Sequence, residues 1–179
     1  MRAVLDANVL FPTILREILI DLAGAGHFTP LWSPRILAEW RHAAGRLGPD
    51  QDAVAGAEIA LLRARFPQAE LPDDGTRAID LHFPDPADRH VVEAALAGNV
   101  PLIVTANLRD FPQHLMAGLG LRAIHPDAFL LDLLADDPSA VKTAVQAARD
   151  KAAALGGAMP ATEMLKRCRL LRLAKALKG

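Results

Sequence analysis

Tyrosine is absent from this chain of 179 residues, aromatic residues make up 4%, and there is one cysteine, Cys168. So few aromatics argue against base stacking as the main way of holding single-stranded nucleic acid, because that mode relies on aromatic platforms. One cysteine excludes an internal disulfide framework and fits a reducing cytoplasm. Its expected role is that of a small helix residue. No uncharged apolar run approaches the roughly 18 residues of a membrane span. Nothing at the start combines a basic region with a long apolar segment, so no secretory signal is expected. Neither sign of charge dominates, with 20 Lys and Arg against 21 Asp and Glu, a net −1. No global field therefore draws nucleic acid, and an RNA or DNA partner would need a local basic patch. What the chain does have is apolar mass. At 51% hydrophobic residues it can build a full core, and its length suits one domain with a small appendage.

Periodicity predicts alternating strands and helices. Arg2 to Leu5 reads as a short buried strand. Ile14, Leu15, Ile18, Leu19 and Leu22 recur at helical spacing between Pro12 and Ala25. The GAG at 24–26 lacks a third glycine and follows a helix, so it is a helix stop and not a dinucleotide fingerprint. A strand over Phe28 to Trp32 follows, then a helix capped by Ser33 with Pro34 at its first position, running to Gly45. Pro49 and Asp50 open another helix that reaches Phe66. Residues 67–77 are polar and turn-rich and read as a loop, with a short strand expected over Ala78 to Leu81. Asp85 is an N-cap, with Pro86 at N1, Asp88 at N3 and Gly98 closing the helix. Further strands are expected at PLIVT, between Pro101 and Thr105, and at Leu121 to Ile124. A short helix through His114 to Met116 lies between them. Strands this short and uniformly apolar, alternating with helices, give a parallel α/β sandwich. Beyond Pro126 the pattern is helical to the end. The expected division is a sheet domain over 1–135 and a C-terminal helical extension over 136–179, without repeats.

The opening stretch VLDANVL raises the functional question. Asp6 follows the first strand, and in an open parallel sheet ligands bind beyond the carboxyl ends of strands. Thr105, Asn107 and Asp110 follow the PLIVT strand. Asp88 sits in the first turn of the helix before it, and Glu39 lies mid-helix among Ile36, Leu37 and Trp40. Several carboxylates brought together would repel one another, and some would stay protonated unless a cation intervened. Mg²⁺ or Mn²⁺ suits an all-oxygen set, and no histidine pair or CxxC argues for zinc. Each member also has a plainer reading: Asp6 as a strand stop, Glu39 paired with Arg35 at i, i+4, Asp85 as a cap alone, Asp110 as a loop acid. The set is more informative than any member.

In four stretches the chain resembles the PIN-domain family, and within it the toxin ribonucleases of the VapC kind. The stretches are VLDANVL, SPRILAEW, PDPADRHVVEAAL and LIVTANLRDFP, in the family's order, and the likeness covers about residues 1–130. The resemblance implies a three-layer sandwich with a central parallel sheet, and it implies that the helical tail is an extension carried by one subgroup. It implies metal or catalytic roles for Asp6, Glu39, Asp88 and Asp110, with Mg²⁺ or Mn²⁺ bound. Asn8 and Thr105 match supporting positions, and Asn107 replaces or assists Asp110. The implied reaction is hydrolysis of an RNA phosphodiester, with Asp6 and Asp88 as the main metal ligands. The implied partners are RNA, a cognate antitoxin and a second copy of the chain.

RNA also needs cations near the acids. Arg35 and His42 lie four before and three after Glu39, on roughly its helix face. Arg41, Arg89, His90 and Arg109 neighbour the acids in sequence. The tail carries Lys166, Arg167, Arg169, Arg172, Lys175 and Lys178, either a second RNA surface or a solvated helix. Two rivals stand beside the nuclease reading. A haloacid dehalogenase-type phosphatase wants an aspartate where Asn8 stands. A non-catalytic RNA- or protein-binding module has little reason to keep a repulsive cluster.

Overall fold

The computed structural model describes residues 1–72 and 74–178. In chain order the elements are β1 (Arg2–Leu5), α1 (Ala7–Leu10), α2 (Thr13–Gly24), β2 (Thr29–Leu31), α3 (Pro34–Gly45), α4 (Pro49–Arg65), α5 (Arg89–Ala97), β3 (Leu102–Val104), α6 (Gln113–Gly118), β4 (Arg122–Ile124), α7 (Pro126–Asp136), α8 (Pro138–Ala154), α9 (Ala161–Arg167) and α10 (Leu171–Ala176). Two 3₁₀ turns, Pro86–Asp88 and Leu108–Asp110, complete the set.

The chain packs as two compact units. The first comprises Met1–Phe11 and Thr29–Ile124 and holds the whole sheet. Its four strands are all parallel, in the order β2-β1-β3-β4. Val4 pairs with Leu31 on one side and Ile103 on the other, and Ile103 pairs with Ala123. The strands are continuous apolar runs because helices cover a parallel sheet on both faces. Ala3, Val4, Leu5, Ile103 and Val104 are fully buried, as are Ile36 of α3 and Val91 and Val92 of α5. This is the α/β class with a central parallel sheet and added C-terminal helices that the sequence implies.

The strand order has a functional consequence. β2 lies on one side of β1 and β3 on the other, so the chain reverses its direction of winding between β1 and β3. The crevice at their carboxyl ends is a topological switch point, where ligands bind in this class of sheet. Asp6 leaves β1 at that point, and Thr105 leaves β3 there.

One predicted element is corrected. Residues 78–81 form no strand. They belong to a turn whose backbone is held from α5: the buried Glu93 carboxylate accepts from the N–H of Arg77 at 2.8 Å and of Ala78 at 2.5 Å. Donors taken by a side chain are not open to a sheet ladder. The other strands and helices expected from sequence form, each within a few residues of its expected bounds, and α1 is a single extra turn that Asp6 caps.

The second unit comprises Pro12–Phe28 and the chain from His125 onward. Helix α2 packs on α8, and α7 packs on α8 and α10. Gly26, at φ 88°, lets the chain leave α2 by a left-handed turn, in which His27 N–H donates to Leu22 C=O at 3.1 Å. Phe28 and Phe129 meet edge to face, centroids 5.0 Å apart. Lys151 on α8 pairs with Glu17 on α2. The buried Asp127 carboxylate accepts from the N–H groups of Arg172 and Leu173, both at 2.9 Å, and so caps α10. No helix among the described residues is long and apolar enough to cross a membrane.

Candidate acidic site

Asp6 is where the site begins. It follows β1 in extended conformation and caps α1, Oδ1 accepting from Ala7 N–H at 2.7 Å. Its Oδ2 accepts from the Asn8 amide and from the Thr105 hydroxyl, each at 2.7 Å. Asn8 Oδ1 in turn accepts from Ala106 N–H at 2.9 Å, and Thr105 Oγ1 from Asn107 N–H at 3.2 Å. Asn8 and Thr105 thus tie the end of β1 to the end of β3 through Asp6. Asp6 is 3% exposed. Burial raises its pKa, against the lowering effect of the Thr105 and Ala7 hydrogen bonds; Glu39 adds to the rise and His90 opposes it. A carboxylate has about four lone-pair sites. Three are filled here, which leaves room for one further contact.

The PDPAD segment supplies the next two acids. Asp85 caps the 3₁₀ turn, Oδ1 accepting from Ala87 N–H at 2.8 Å, and Pro86 follows at N1, where it lacks only a donor that would be unpaired anyway. Asp88 closes the same turn three positions on, which keeps it near Asp85. Asp110 comes from the second 3₁₀ turn. It is buried, and the Asn107 amide donates to its Oδ2. Asp85, Asp88 and Asp110 each offer one carboxylate oxygen within 4.8 Å of the others. Asp6 and Glu39 stand outside that tightest group, but within electrostatic reach of it. The Asp88 carboxyl is pushed up to about 6, first by burial and then by the charges of Asp6, Asp85, Asp110 and Glu39.

Glu39 approaches from α3. His90 Nε2, on α5, lies 2.7 Å from its Oε1, and Arg35 Nε lies 3.9 Å from the same oxygen. Of the cations singled out from sequence, Arg35, His42 and Arg109 are exposed. Arg109 Nε is 3.9 Å from Asp110 Oδ1 with its side chain 89% exposed, a weak attraction in water. Arg89 is half-buried and donates to Ile79 C=O at 3.4 Å. Arg41 is committed to Asp52 through two hydrogen bonds, at 3.0 and 2.8 Å.

The acids of the sequence-derived set thus gather in one region, and two residues for which the sequence favours a plainer role stand with them. Asp85 reads as a cap, which it is, and it also stands in the carboxylate group. The signal was the D-x-x-D spacing across one 3₁₀ turn. His90 reads as a surface cation and is 4% exposed. Its neighbours Val91 and Val92 carry the apolar pattern that could have marked a buried helix face.

The donor set suits a hard divalent cation. Six oxygens around Mg²⁺ at ~2.1 Å stand ~3–4 Å apart, so three oxygens within 4.8 Å of one another need only a small closure. Burial and then the charges of the neighbouring acids push Asp88 up to about 6, and the charge repulsion is what a dication would relieve.

A parallel sheet with carboxylates gathered at its switch point defines a class, the α/β proteins with an acidic pocket. Residues 2–109 match a PIN domain, which is more than half of the chain, and the chain belongs to the PIN-domain family. It is also 40% identical over 62 residues to a protein of Mycobacterium tuberculosis named "Putative ribonuclease VapC50". That alignment covers 35% of this chain, and the chain spans 35% of the length of that curated relative. No solved structure matches the chain significantly.

Proposed function

We propose that the protein is a metal-dependent endoribonuclease, the toxin of a type II toxin–antitoxin pair. The observation that carries this reading is the gathering of Asp85, Asp88 and Asp110, whose carboxylate oxygens lie within 4.8 Å of one another, with Asp88 pushed up to about 6 by burial and by the neighbouring acids. A folded protein keeps so repulsive a group where a cation is to be held and used. Membership of the PIN-domain family and the partial likeness to a protein named as a ribonuclease support the same direction.

Asp85, Asp88 and Asp110 would hold Mg²⁺ or Mn²⁺ directly, with Asp6 contributing its remaining lone pair. The chemistry such an ion supplies when bound is a lower pKa for a coordinated water and stabilised charge on the phosphodiester. The chain's own residues do the rest. Asn8 and Thr105 orient Asp6, and Asn107 orients Asp110. Glu39, half-exposed beside the group, is placed to accept the proton of the attacking water. Arg35, His42, Arg89 and Arg109 are the candidates for contact with RNA phosphates. A cognate antitoxin, a homodimer, a cytoplasmic location and a domain boundary between 135 and 136 belong to the same reading.

The phosphatase alternative draws no support from the site. The position where it needs an acid holds Asn8, whose amide is spent on Asp6. The test is cleavage of RNA with Mn²⁺, with Mg²⁺ and with EDTA, by wild type and by Asp88→Asn. Cleavage by wild type that needs the metal, with little left in the variant, is expected. Cleavage in EDTA, or full activity in Asp88→Asn, sinks the proposal. RNA bound but left intact identifies a binding module instead.

A further inference from the structure

We propose that His90 is a positioning residue of the acidic site: its buried imidazole fixes the Glu39 carboxylate so that Oε2 faces the cation and water. This rests on reading the acids as a hydrolytic centre. The placement is specific. His90 lies on α5, two residues after Asp88, and Glu39 lies on α3, so their contact ties the helix of one acid to the helix bearing another. Nε2 and Oε1 are 2.7 Å apart. That separation is within hydrogen-bond reach, and Nε2 is the ring atom that faces the carboxylate.

His90 is 4% exposed, yet neither ring nitrogen makes an aligned hydrogen bond among the described residues. Nε2 is close to Glu39 without that alignment, and Nδ1 has no partner among the described residues. A buried polar nitrogen without a partner is unfavourable, so a residue present only for packing would be better as leucine or phenylalanine. Glu39 has the opposite problem. It is half-exposed on a flexible side chain, and its other contact is with Arg35, whose side chain is 57% exposed. Both contacts fall on Oε1. Oε2 is therefore the oxygen left to act. Both Glu39 and His90 act electrostatically on Asp6, so the pair stands beside the site and not on a remote face.

The experiment is a double-mutant cycle with two readouts, Mn²⁺ affinity by calorimetry and cleavage kinetics. The variants are His90→Leu, His90→Gln and His90→Asn, in wild type and in Glu39→Gln. Partners that orient a metal site typically change affinity or rate by roughly 10–100-fold when removed. His90→Leu should fall in that range in kcat or Mn²⁺ affinity, with KM for RNA within about twofold. His90→Gln, which carries an amide N–H close to the place of Nε2, should recover most of the loss, and His90→Asn, too short, should not. In Glu39→Gln the His90→Leu change should have almost no further effect, because interacting residues are non-additive. Additive losses, or equal behaviour of the Gln and Asn variants, overturn the proposal. If His90→Leu does not fold, the comparison of Gln with Asn decides. If wild type cleaves no RNA but its Mn²⁺ affinity follows the cycle, the nuclease reading fails and the positioning role stands.

Discussion

Thr105 and Asp6 are 99 positions apart in sequence, and the hydroxyl of one donates to the carboxylate of the other at 2.7 Å. The bond spans the switch point of the sheet. Thr105→Val removes the donor while keeping the shape. It should cost about 1–2 kcal/mol of stability, because a buried carboxylate loses a partner. It should also raise the Asp6 pKa further, since that hydrogen bond holds it down. Thr105→Ser should retain both. Urea denaturation with the three proteins checks the order.

Asp88 makes stability depend on pH when no metal is bound. Its carboxyl sits at about 6 in the fold, against 3.8 as the ordinary value. The native state therefore binds a proton more readily than the unfolded chain. The resulting penalty is complete above about pH 6 and absent below about pH 4, so stability rises as pH falls through that window. With Asp88 half-exposed the gain is about 1 kcal/mol after solvent screening is allowed for. Asp88→Asn should be the more stable protein at pH 7.5 in EDTA and should lose this pH dependence. Denaturation midpoints in EDTA at pH 7.5 and 5, for both proteins, decide it.

Asp85 separates two roles that one residue combines. Asparagine caps a helix about as well as aspartate, so Asp85→Asn should leave stability within about 0.5 kcal/mol while weakening Mn²⁺ binding. Asp85→Ala should weaken binding equally and lose about 1 kcal/mol besides. Calorimetric titration beside thermal unfolding shows whether the two losses separate. Unchanged Mn²⁺ affinity in Asp85→Asn would remove Asp85 from the site.

Glu93 holds the turn at 77–78 by two backbone donors. Glu93→Ala leaves both without their acceptor and should cost about 2–3 kcal/mol. The Arg77 and Ala78 amides should then exchange with solvent much faster than those of β3. Slow exchange at both amides in the variant would contradict the assignment.

The strands were legible because a parallel sheet buried on both faces leaves short, uniformly apolar runs such as Ala3-Val4-Leu5 and Leu102-Ile103-Val104. The caps were legible because Ser33 and Asp85 act on neighbours within three residues. Residues 78–81 mislead because the N–H of Ala78, with that of Arg77 just before it, is claimed by Glu93, 15 and 16 positions on, and no local pattern records such a partner. For Asp85 the sequence favours the cap over a place in the site, yet satisfying one N–H leaves a carboxylate's charge intact, so it does both. His90 was hidden by its type: imidazole beside Arg89 looks like surface charge until burial is known. The packing of α2 with α8 joins segments too distant for periodicity to connect.

That last pairing has a consequence for the order in which the chain is made. Glu17 and Lys151, which join α2 to α8, are 134 positions apart. At roughly 5–20 residues per second a ribosome takes about 7–27 s to cover that interval. Through all of it α2, whose Leu15, Ile18, Leu19 and Leu22 are buried in the finished protein, has yet to meet α8. For that whole interval the nascent chain carries an apolar helix without the partner it packs on, a ready site for a chaperone to hold.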